Sequence, residues 1–162
     1  MRGVVAVALV LALPACGMPA LTGPLPAPSV DDARHLLDEV IEAGIERDWR
    51  RLCENASGTC EGELGGPQVK VRAPRDVPVV ADVAVIEPTV RGEAWSSGGV
   101  LFVLCGVDGL GDPYESEVLV FDDGARLIAT AAVYWVGTRV AFAPPGETVT
   151  VGEPTPGAPR CR

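Results

Sequence analysis

An α+β fold, with N-terminal helices packed on one face of a curved antiparallel sheet, is what the order of hydrophobic patterns predicts. The first third of the mature chain repeats its apolar residues at helical spacing, while four later stretches are rich in valine, isoleucine and aromatic residues. The last three of these stretches are joined by "DGLGDP" and "DDG", which carry the Gly, Asp and Pro of hairpin turns. Residues 29–143 supply one domain's worth of chain, long enough to bury a single core.

The first helix starts at Ser29, whose hydroxyl can cap the amides of the first turn. Asp32 lies three residues on in a capping-box-like pattern, and Asp31 sits favourably against the helix dipole. Leu36, Leu37, Val40, Ile41, Gly44 and Ile45 then form one stripe at helical spacing. A second, short helix from Asp48 carries Trp49, Leu52, Cys53 and Ala56 and ends at "SGTC". Strands follow at 79–86, 99–107, 114–121 and 125–136, the last three as an antiparallel meander. In the stretch 125–136 both alternating faces are largely apolar: Leu127, Ala129, Ala131, Val133 and Trp135 on one, Ile128, Thr130, Ala132 and Tyr134 on the other. A sheet covered on one side alternates with polar residues. The pattern therefore predicts a cover for the second face, either a partner subunit, as in a homodimer, or the C-terminal tail.

The two ends of the chain have a different texture. Met1 and Arg2 precede an uncharged run from Gly3 to Ala15, the layout of a secretory signal peptide. About 20 apolar residues are needed to span a bilayer as a helix, and this run has fewer. Leu13-Pro14-Ala15-Cys16 resembles the bacterial lipobox, which implies cleavage between Ala15 and Cys16 and lipid attachment at the Cys16 sulfur. Each buried acyl methylene contributes roughly 0.8 kcal/mol, so two or more chains hold a protein at a membrane. The chain is thus read as a signal peptide (1–15), a Pro-rich tether (16–28), the α+β domain (29–143) and a Pro/Gly-rich tail (144–162).

The full chain has a formal net charge of −9, and removing residues 1–15 takes away Arg2 and no acid, leaving −10. So acidic a surface repels phosphate backbones, which argues against nucleic acid as a partner. Lys70 is the sole lysine among many arginines, and the Ala, Gly, Val and Pro content fits a GC-rich genome.

Two helices followed by a curved antiparallel sheet is the order of the cystatin-like or NTF2-like fold. The stretches "AGIERDWRRLCENASGTC" and "VLCGVDGLGDPYESEVLVFDDGARLIATAAVYW" resemble a group of small actinobacterial lipoproteins with such a domain. The resemblance covers roughly residues 30–142. It implies a conical pocket between helix and sheet, used in some members for isomerase- or cyclase-type acid–base chemistry and in others for binding a small apolar ligand or a protein partner. Fold alone does not choose between them.

The residues themselves point away from catalysis and from any cofactor. His35, the one histidine, falls on the helix face opposite the apolar stripe, with Asp31, Asp38, Glu39 and Glu42. No G-x-S-x-G elbow accompanies it. The acidic loop Asp108 to Asp112 lacks the acid that a calcium loop needs at its twelfth position, where Leu119 stands, so it reads as a hairpin turn. The candidate pocket residues are Tyr114, Glu115, Glu117, Tyr134 and Trp135. A carboxylate there, or Asp82, could act as a base with Tyr114 or Tyr134 as donor. The duller alternative leaves the glutamates near a strand end in water.

Cys53, Cys60, Cys105 and Cys161 are an even set in an exported chain, which implies disulfides, and no paired C-x-x-C spacing suggests zinc. Three pairings are open. Spacing favours Cys53 with Cys60 across Ser57-Gly58-Thr59, leaving Cys105 with Cys161 to tie the tail to the sheet. The competing pairing joins Cys53 or Cys60 to Cys105.

Overall fold

A computed structural model describes residues 23–57, 60–91, 94–140 and 161. The architecture is α+β: a few helices on one face of an open, four-stranded antiparallel sheet. Helix α1 (Val30–Glu46) is capped by Ser29, whose Oγ accepts from the Asp32 amide at 3.1 Å while its hydroxyl donates to the Asp32 carboxylate at 2.6 Å. It ends where Arg47 turns left-handed at φ 61° and its amide reaches back to the Ala43 and Gly44 carbonyls. Helix α2 (Trp49–Glu54) is capped by Asp48 and stops short of Ala56. Two short helices not anticipated above follow, α3 (Cys60–Glu63) and α4 (Pro67–Val71). Pro67 at the start of α4, after two glycines, was the available sequence signal.

Strand β1 (Val79–Ile86) opens the sheet at one edge. A small hairpin of β2 (Thr89–Arg91) and β3 (Ala94–Ser96) stands apart from it, and β4 (Gly99–Val107) and β5 (Pro113–Asp122) form the centre. The order is β1-β4-β5-β6, so the last three strands are the predicted meander. Val100, Phe102 and Leu104 of β4 face the helices together with Val118 and Val120 of β5, and α1 covers them with Leu37, Val40 and Ile41. On the second face, Leu101 and Val103 are also buried.

The fourth strand is much shorter than the stretch 125–136. Strand β6 is Leu127–Ala129 only, held on one side by β5 and on the other by residues 55–57, through Ala129 N to Asn55 O (3.0 Å) and Ser57 N to Ala129 O (2.9 Å). After Thr130 the chain leaves the sheet, passes beneath α1 and ends in a 3-10 turn at Tyr134–Val136. It returns to the β5 edge at Thr138, whose carbonyl accepts from Glu117 N at 2.9 Å. Residues 131–135 are apolar at every position because the core surrounds them on all sides.

Both disulfides are those favoured by spacing, Cys53–Cys60 and Cys105–Cys161, with Cα atoms 5.3 and 5.6 Å apart. The second ties Cys161 to β4, on the face away from the helices. The signal segment, Ala15, Cys16 and most of the tether and tail lie outside the described residues.

Candidate functional site

The sheet divides the five candidate pocket residues between its two sides. Tyr114, Tyr134 and Trp135 lie on the helix side as one aromatic cluster, with Tyr134 between the other two at ring-centre distances of 6.2 Å to Tyr114 and 5.1 Å to Trp135. All three are buried. Tyr134 donates to the Ile41 carbonyl at 3.2 Å and Trp135 Nε1 to the Val69 carbonyl at 2.9 Å, so the two tie α1 and α4 to the segment that passes beneath α1. The Tyr114 hydroxyl is buried without a hydrogen-bond partner among the described residues. Burial pushes both phenols well above the ordinary tyrosine range, with the Asp108 charge adding to the effect at Tyr114. They are neutral at any physiological pH.

Glu115 and Glu117 occupy the opposite face, since strand neighbours alternate and both share a side with Leu119. Arg139 Nη1 lies 2.9 Å from Glu115 and 3.6 Å from Glu117. Glu117 also accepts from the Val140 amide at 3.1 Å, and Glu115 from the Cys161 amide at 3.3 Å. The two carboxylates therefore hold the two ends of the C-terminal segment against the sheet. They do not meet the tyrosines, and no base–donor pair forms across the strand.

Asp108 is the one carboxylate buried among the described residues, its side chain 1 % exposed. It works as the lock of the β4–β5 turn. Its Oδ1 accepts from the Leu110 and Asp112 amides at 2.9 and 3.0 Å, and its Oδ2 meets Arg72 Nε at 2.6 Å. Burial opposes its ionisation, but those two amides and the Arg72 guanidinium outweigh it and hold the carboxyl below the usual range. The loop read as a hairpin turn is thus a turn pinned to the end of α4. Gly109 permits the approach, since a Cβ there would lie 2.6 Å from the Ala73 carbonyl oxygen. His35 is 3.6 Å from Glu39 on the solvent face of α1.

Two grooves open on the helical side. One, of about 470 Å³, is walled by Trp49, Cys53, Leu64 and Lys70, with the Lys70 ammonium 5.9 Å from the Trp49 ring centre. The other, of about 560 Å³, runs beside α1 over Ile41, Ile45 and Val77. Asp38, Glu39, Glu42 and Glu46 rim it, and Arg51 crosses it to pair with Glu42 and Glu46. The hydrogen bond to Glu42 raises the pKa of the Arg51 guanidinium. Four carboxylates against two guanidinium groups, Arg51 and Arg34, which pairs with Asp38 at 3.0 Å, leave this rim acidic over an apolar floor, with His35 alongside. Its floor residues belong to the α1 stripe, but the groove was invisible in the sequence because Val77 reaches it only through the chain's return toward β1.

No family model, no curated protein and no solved structure matches the chain.

Proposed function

We propose that this protein is a lipoprotein anchored through Cys16 to the outer face of the cell membrane, with an NTF2-like domain that binds rather than catalyses. Two disulfides suit an oxidising, extracytoplasmic compartment, and Leu13-Pro14-Ala15-Cys16 supplies the anchor motif. The observation that carries the binding role is the α1 groove, an apolar floor under an acidic rim. Its chemistry suits a small amphiphile with a positive end, or a basic segment of a protein partner. An isomerase- or cyclase-type reaction would need a carboxylate facing a donor in a cavity. Here Glu115 and Glu117 are engaged by Arg139 and the tail, while Asp108 is engaged by Arg72.

Intact mass spectrometry of the protein from membranes of a host that exports it tests the anchor. The expected mass is residues 16–162 plus acyl chains, and Cys16→Ser releases the protein from the membrane fraction; an unacylated mass sinks the anchor. Calorimetric titration with dodecyltrimethylammonium below its micelle concentration tests the groove. Saturable uptake that Ile45→Arg abolishes is expected, and equal uptake of dodecyl sulfate would discard the acidic-rim reading.

A further inference from the structure

The groove of about 470 Å³ walled by Trp49, Cys53 and Leu64 lies apart from the binding role proposed above, and it carries two unanswered charges. Lys70, on α4, is exposed, and its ammonium stands 5.9 Å from the Trp49 ring centre without a carboxylate partner among the described residues. Glu61, on α3, is exposed in the same groove and makes no hydrogen bond or ion pair among those residues. Arg50 and Glu54 also line the wall, but they pair with each other at 2.6 Å and cancel. One cation and one anion are left over, and they do not pair with each other. Their backbones are held in place. Val69, next to Lys70, gives its carbonyl to Nε1 of the fully buried Trp135 at 2.9 Å. Cys60, next to Glu61, is bridged to Cys53 on α2. Trp49 packs on Trp135 with ring centres 6.3 Å apart, and the buried Leu64 completes an apolar floor between the two charges.

We propose that this groove is a second binding site, which takes a short apolar peptide by both of its ends. Lys70 meets the C-terminal carboxylate and Glu61 the N-terminal ammonium, while the side chains lie on Trp49, Leu64 and the Cys53–Cys60 bridge. Charge complementarity selects a zwitterion. A chain of net charge −9 repels a simple anion at a distance, and a simple cation would leave Lys70 unmatched. A molecule with both charges answers Lys70 and Glu61 together, and a short peptide is a zwitterion that places apolar side chains between its charged ends. The volume of the groove lies in the range of small-ligand sites, which suits a few residues rather than a long chain. Each charged end would make a charge-assisted contact, the stronger kind of hydrogen bond. The tied helices also lower the cost of binding, because little beyond the ends of Lys70 and Glu61 has to be ordered.

Calorimetric titration of the full-length exported chain with leucyl-phenylalanine tests the site. Saturable binding is expected, weakened roughly ten-fold when the peptide is blocked at either end, as N-acetyl-leucyl-phenylalanine or as leucyl-phenylalaninamide. Lys70→Met is expected to erase the preference for the free carboxylate, so that the amide and the acid bind alike, while the preference for the free ammonium stays. Glu61→Gln is expected to do the converse. This crossed pattern is one that a general loss of structure would not produce. Both side chains are exposed, and peptide mapping of Cys53–Cys60 and Cys105–Cys161 confirms that the variants are folded. The result is independent of the α1 groove, none of whose residues is changed. Absence of saturable binding, blocked peptides that bind as tightly as the free one, or variants that keep both preferences would overturn the proposal.

Discussion

Asp108 shows how a single residue converts burial into a pH-dependent tie. A carboxylate removed from water normally has a raised pKa. Two turn amides and Arg72 reverse that here, so its folded pKa lies below the unfolded value of about 3.9. The sign follows: Asp108 contributes stability above that unfolded value and loses it as pH falls through the lower, folded one. Asp108→Asn is expected to lower the urea midpoint at neutral pH and to flatten its fall in acid relative to wild type. Parallel midpoint curves for the two proteins between about pH 6 and pH 2.5 would remove Asp108 from the acid response. The acid-rich turn was legible as a turn, since Asp and Gly at those offsets favour one. Its partner Arg72 lies far off in the chain, at the end of the unanticipated helix α4.

At the scale of elements, α1 depends on close approach to the segment beneath it. Gly44 lies within the helix, where replacing glycine by alanine ordinarily stabilises by roughly 1 kcal/mol. A Cβ at Gly44 would stand 2.9 Å from the Tyr134 hydroxyl and 3.1 Å from the Trp135 ring, both fully buried. Overpacking costs about 1–3 kcal/mol. Gly44→Ala is therefore expected to destabilise, and a variant as stable as wild type in chemical denaturation would mean the aromatic pair has room to move. The helix itself was readable because its cap and stripe are local, at three- and four-residue spacing. The length of β6 was not. A strand with two covered faces and a segment threading the core are equally apolar, so hydrophobic pattern alone does not separate them. Thr130 marks the break: its amide and hydroxyl both bond Leu119 of β5 before the chain turns under α1.

For the whole molecule, the two disulfides close loops of very different length. Cys53–Cys60 spans 7 residues and Cys105–Cys161 spans 56. In a chain-entropy treatment these stabilise by about 2.5 and about 4 kcal/mol. Replacing both cysteines of the longer bridge by serine is therefore expected to lower stability more than the same change in the shorter one; the reverse order in urea unfolding would show that helix geometry near Cys60 outweighs loop entropy. The under-polar second face read from the sequence has a different cause: after Thr130 the chain leaves the sheet, and residues 131–135 are enclosed by the core, while the longer bridge holds Cys161 at β4 beside Glu115. The candidate pocket did not survive assembly as one site: residues adjacent in the chain, Tyr114 and Glu115, point to opposite sides of β5, and only the aromatic one enters the core. Caps, turn residues, the positions of β1, β4 and β5 and the spacing that favours one short disulfide were determined by the sequence itself, because each rests on local pattern or on contacts within about ten residues. Which face each strand buries, where the chain leaves the sheet, and the place of β1 at the end of the strand order were decided by the tertiary structure, since they depend on what packs against a residue from far along the chain.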